Sequence, residues 1–104
     1  MNFDEYIVEA VRGHTAERPQ DLVGILYNID GRMKLLPLND ELRGGLARLV
    51  ESGRIIETER HRFAEGDGKT GQTFSGITDE EWRRADEAYR RWFWAMHRAS
   101  RDAE

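Results

Sequence analysis

The last quarter of the chain places the tightest limit on what it can fold into. Trp82, Ala85, Tyr89, Trp92, Met96 and Ala99 recur at intervals of three, four, three, four and three residues, the a/d seam of an α-helix. Thr78-Asp79-Glu80-Glu81 stands just before it and reads as a capping box, with Thr at the cap and Glu three residues on. On the other faces Asp79/Arg83, Glu80/Arg84, Asp86/Arg90 and Glu87/Arg91 pair acid with base at i,i+4. Each such pair supports a helix by about 0.2–0.5 kcal/mol. The chain therefore ends in a helix with one aromatic face, and the rest of the molecule must cover that face or leave it for a partner.

The preceding residues supply three more helices and a hairpin. Phe3, Tyr6, Ile7, Ala10 and Val11 form one helical stripe, with Asn2 as cap and Gly13 as stop. A second helix is expected from about Pro19 to Ile29, with Leu22, Ile25, Leu26 and Ile29 inward and Asp30-Gly31 ending it. A connector over 31–37 leads to a third helix, about Asn39 to Ser52, whose stripe is Leu42, Gly45, Leu46, Leu49 and Val50. Gly53 fits the position after its end. Residues 54–60 are β-branched and short enough for a strand. The glycine-rich 65–71 is expected to be the turn, and 72–78 the returning strand.

Composition fixes the class of molecule. At 104 residues the chain fits one domain. It has no cysteine, so neither a disulfide framework nor a thiolate metal site is expected. The acidic start, Met1-Asn2-Phe3-Asp4-Glu5, is unlike a signal peptide, and no apolar run reaches the roughly 20 residues that span a bilayer. A cytoplasmic protein with no membrane partner is the expectation. The net charge of −4 is uneven: residues 1–30 sum to −4, 31–69 to +1 and 70–104 to −1. A chain that grips nucleic acid broadly is usually basic overall, and this one is not.

The order helix, helix, helix, hairpin, long helix, with Glu41-Leu42, Gly45-Leu46, Leu49, Gly53 and Ile55 in the third helix and the strand after it, resembles bacterial winged helix-turn-helix proteins. Ile77-Thr78 before an acidic helix start is similar to the wing's exit in MarR-like and PadR-like regulators. The resemblance covers about residues 3–80. It implies a mainly α fold with a small β-hairpin wing: a winged helix-turn-helix domain over 1–80 and a C-terminal helix over 81–104 that packs on it and dimerises. In DNA-binding members the third helix enters the major groove and the wing touches the backbone. By position this implies Arg43 and Arg48 on the helix, and Arg60, Arg62 and Lys69 on the wing, as contacts to double-stranded DNA. Asp40, Glu41 and Glu51 share the helix face and would repel phosphate. Winged helices also serve as protein-binding modules, so a transcriptional regulator and a protein-interaction module both stand as readings.

Catalytic and cofactor chemistry is not expected. Gly68-Lys69-Thr70 has the ending of a phosphate-binding loop, but Phe63 occupies the place of its first glycine. A calcium loop opening at Asp67 would need an acid where Thr78 stands. His14, His61 and His97 sit in separate segments without metal-ligand spacing. Ser52, Ser75 and Ser100 lack the context of a nucleophile.

The final helix carries the expected homodimer contact through Tyr89, Trp92, Phe93, Trp94 and Met96. Packing on the chain's own first helix, at Tyr6, Ile7 and Val11, is expected to cover part of that surface. Trp94 lies about 200° around the wheel from Trp92, so one seam does not bury both.

Overall fold

The computed structural model describes residues 3–33 and 39–102, without the side chains of Met33 and 97–102. Helix α1 spans Phe3–Val11 and buries Ile7, Ala10 and Val11. Its expected cap, Asn2, lies outside the described residues, as do 34–38 of the expected connector and the side chain of Ala99 in the terminal seam.

The second helix begins later and runs further than its sequence pattern suggests. Gln20–Asp21 form a short strand, β1, and α2 spans Leu22–Met33. Pro19 is therefore not a first-turn residue. Asp21 is the cap: its Oδ1 accepts the Gly24 amide at 2.8 Å, satisfying an N–H that has no partner inside the helix. Asp30-Gly31 does not stop α2, which continues one turn beyond. Helix α3, Asn39–Ser52, has the expected bounds and buries Leu42, Gly45, Leu46, Leu49 and Val50.

The hairpin is tighter than the glycine pattern implies. Strand β2, Ile55–Glu59, pairs antiparallel with β3, Arg62–Glu65, and the turn between them is Arg60-His61. The register shifts between Glu57 and Glu59. β1 pairs with the other edge of β3, Gln20 opposite Phe63 and Asp21 opposite Arg62, giving a three-stranded antiparallel sheet in the order β1-β3-β2. Residues 65–71 are thus not the turn, and 72–78 is not a strand. The glycine-rich segment instead lies against the end of α3. Gly66 N–H donates to Arg54 O, Gly68 N–H to Gly53 O and Gln72 N–H to Val50 O, at 3.0, 2.9 and 3.1 Å. Gly53 has φ +81°, and a Cβ there would stand 2.9 Å from the Thr70 backbone. Both conditions admit only glycine.

The core lies between α1, α2, α3 and the sheet. Ile7, Val11, Ile25, Leu26, Ile29, Leu42, Leu46, Val50, Ile55 and Phe63 are all but fully buried, each contributing about 1.5–3 kcal/mol of burial. Helix α4, Asp79–Asp102, adds Ala85 and Tyr89 to this core, with Trp82 and Phe93 partly buried against it. It packs chiefly on α2, not on α1 as its seam suggested. Its 24 residues make a rod of about 36 Å, which gives the molecule its extents of 49 × 28 × 28 Å.

Candidate functional site

The cations of α3 and the hairpin are held by carboxylates of the same chain. Arg48 on α3 makes two contacts with Asp4 of α1, Nε to Oδ2 at 3.0 Å and Nη2 to Oδ1 at 2.7 Å. Arg43, five residues earlier, reaches Asp79 at the start of α4 at 2.8 Å. At the hairpin turn, Arg60 grips Glu81 through Nε at 2.8 Å and Nη2 at 2.6 Å. A guanidinium and a carboxylate meeting through two parallel bonds form the strongest common ion-pair geometry. Arg62 stands 3.8 Å from Glu59, a looser pair on an exposed strand end. Lys69 is not at the hairpin turn with the arginines. It sits in the segment against α3, where Asp67 Oδ1 accepts the Lys69 and Thr70 amides, each at 2.7 Å.

These contacts shift the acids that make them. The Arg48 hydrogen bonds hold the Asp4 carboxyl below its usual value, with burial opposing in part. Arg60 does the same to Glu81, helped by the Thr78 amide. Backbone N–H groups of Thr70 and Lys69 lower Asp67. In each case the bonds favour the charged form.

Two carboxylates organise the hairpin, and sequence reasoning singled out neither for that role. Glu57 accepts the His61 amide at 2.9 Å, the Ser75 amide at 3.2 Å and the Ser75 hydroxyl at 2.6 Å. It thereby supports His61 at φ +62°, a conformation that non-glycine residues rarely take. Glu81 completes the capping box, accepting the Thr78 amide at 2.9 Å while its own amide donates to Thr78 Oγ1 at 3.1 Å. The capping box was legible in sequence, but Glu81's second bond, to Arg60, was not.

A second surface lies between α2 and α4. Tyr27, Trp92, Trp94 and Met96 are 50, 38, 58 and 54% exposed, which is unusual for such large apolar side chains in one region. Tyr27 and Trp92 meet edge to face at 4.8 Å between centroids. Tyr89 stacks loosely on both Trp92 and Phe93 at 6.1 Å, and Phe93 meets Trp94 at 6.0 Å. Tyr89, Trp92, Phe93 and Trp94 are therefore joined ring to ring, and Met96 lines one hollow with the first three, although Tyr89 itself is buried. Tyr27 and Asp30, which sequence reasoning did not assign here, complete it from α2. The Tyr89 hydroxyl donates to Asp30 Oδ2. Burial first, and that bond second, push its ionisation well above the ordinary 10.0. Two hollows of about 200 and 210 Å³ flank the Tyr89–Asp30 pair.

Among the described residues no three His, Cys, Asp or Glu side chains gather as metal ligands. No helix among them is long and apolar enough to cross a membrane. The chain matches no family model, no curated protein and no solved structure.

Proposed function

We propose that this chain is a winged-helix protein-interaction module that self-associates through α4. The order α1-β1-α2-α3-β2-β3, with β1 on the outer edge of β3, supports the winged-helix reading. The observation that carries the functional reading is the exposed aromatic ridge of α2 and α4. Leaving Tyr27, Trp92, Trp94 and Met96 in water forgoes burial worth about 25 cal/mol per Å² of apolar area. Contiguous patches of this kind mark interfaces, and symmetric pairs are the commonest assemblies of like chains.

The second reading, binding of double-stranded DNA through Arg43, Arg48, Arg60, Arg62 and Lys69, is favoured by the placement of α3 and the hairpin. Against it stand the three ion pairs that occupy Arg43, Arg48 and Arg60, and the net charge of −4. A duplex would have to replace each carboxylate with a phosphate.

Fluorescence anisotropy with a mixed-sequence duplex, at low and moderate salt, separates the two readings. Contacts to phosphate weaken steeply as salt rises. The expected result is no salt-sensitive duplex affinity, beside a mass of twice 12.1 kDa in light scattering. Tight duplex binding that falls away with salt would overturn the interaction-module reading.

A further inference from the structure

Among the described residues no cation partners the carboxylate of Asp30. Among the described residues its one partner is the Tyr89 hydroxyl, on Oδ2, and no Lys, Arg or His stands within ion-pair distance of it. The contrast with Asp4, Asp79 and Glu81, each matched by an arginine, is sharp. Asp30 opens instead on the hollow of about 200 Å³ whose other walls include Tyr27, Tyr89, Trp92, Phe93 and Met96. An anion bordered by apolar walls attracts a cation more strongly than one surrounded by water. Aromatic rings add to that attraction, tryptophan most of all.

We propose that this groove binds a small alkylated ammonium ion, seated against Tyr27 and Trp92 with its charge facing Asp30. The chemistry of the walls selects the alkylated form. A primary ammonium brings three N–H donors, and the one charged acceptor lining the hollow is a carboxylate already shared with Tyr89. Donors left without partners in an apolar hollow are costly. A quaternary nitrogen brings none, and its methyl groups suit aromatic walls. The volume selects a small molecule, because pockets for drug-sized ligands run to roughly 300–1,000 Å³.

The proposal does not rest on self-association. The test is titration of the intact chain with choline, followed by tryptophan fluorescence and by NMR shifts of the aromatic protons. Light scattering on the same samples reports the mass independently. Choline is expected to bind at least about tenfold more tightly than its neutral tert-butyl isostere, and more tightly than ethanolamine. Asp30→Asn removes the charge and Trp92→Leu removes the ring but keeps apolar area. Each should weaken choline by at least about tenfold with an unchanged circular dichroism spectrum. Equal binding of the isostere would reduce the groove to an apolar hollow and overturn the proposal. Equal binding of ethanolamine would overturn the preference for alkylation. A trimethyllysine peptide that binds where choline does not would make the occupant a chain segment, and would overturn the small-molecule claim. Absence of choline binding with a doubled mass sinks this proposal alone and leaves the interaction module standing.

Discussion

Arg48 and Asp4 are 44 residues apart in sequence, yet their paired contacts at 3.0 and 2.7 Å tie α3 to α1. The same contacts turn one of the two cations of α3 toward its own chain. Asp4→Asn should release Arg48 with only a minor loss of thermal stability, since the guanidinium is exposed to solvent that screens the pair. Anisotropy with a duplex should register no gain in affinity for the variant. A large, salt-steep gain would mean that α3 is a DNA-reading face held shut by Asp4.

Acid should unfold the protein through its paired carboxylates. Asp4, Asp67 and Glu81 are all held below their ordinary values of 3.8, 3.8 and 4.5. The folded state therefore binds fewer protons than the unfolded chain. Their contribution is complete above those ordinary values and drains away as pH falls through them toward the lowered native ones. Urea midpoints should drop as pH falls from about 5 to about 3, and Glu81→Gln should make that drop shallower. An identical acid slope in the variant would show that the Arg60–Glu81 pair is not what acid breaks.

Tyr89 imposes the opposite slope at high pH. Its hydroxyl, buried and bonded to Asp30, keeps its proton above the ordinary 10.0, so the folded state binds more protons than the unfolded one. The stability this supplies is intact below 10.0 and is lost as pH rises through the raised native value. Ultraviolet titration should show one of the three tyrosines ionising last. Tyr89→Phe should abolish that late step, whereas three tyrosines titrating together would contradict the buried bond.

Two adjacent glycines should respond to alanine in opposite directions. A Cβ at Gly45 would stand 2.5 Å from Ile7 Cδ1 in the core, so Gly45→Ala should destabilise by about 1–3 kcal/mol through overpacking. At Gly44 the nearest atom is the flexible end of Arg48, at 3.2 Å. Gly44→Ala should therefore gain up to about 1 kcal/mol of helix propensity. Denaturant melts of both variants check this, and destabilisation by Gly44→Ala would show that Arg48 cannot give way.

What the sequence revealed of this fold was its local periodicity. α1, α3 and the start of α4 follow from apolar stripes and from the Thr78–Glu81 box, which depend on residues a few positions apart. β1 was invisible, because two residues carry no period and their partners, Arg62 and Phe63, are about forty positions away. The hairpin turn was misplaced for a physical reason. Gly66, Gly68 and Gly71 look like turn glycines, but the chain uses that segment to lie against α3, while the turn falls on Arg60-His61 with Glu57 holding it. That one seam does not bury both Trp92 and Trp94 was foreseeable from the wheel. The ion pairs of Arg43, Arg48 and Arg60 were not, because each joins elements far apart in sequence, and Asp30 entered the α4 surface only once α2 was seen packed there.

The mass of the chain at micromolar concentration, by light scattering, tests the interaction-module reading most directly. The account predicts twice 12.1 kDa, falling to the single-chain mass when Trp92 and Trp94 are both changed to Ala, with helix content retained. A wild-type mass of 12.1 kDa, or a doubled mass that survives the double substitution, would contradict it.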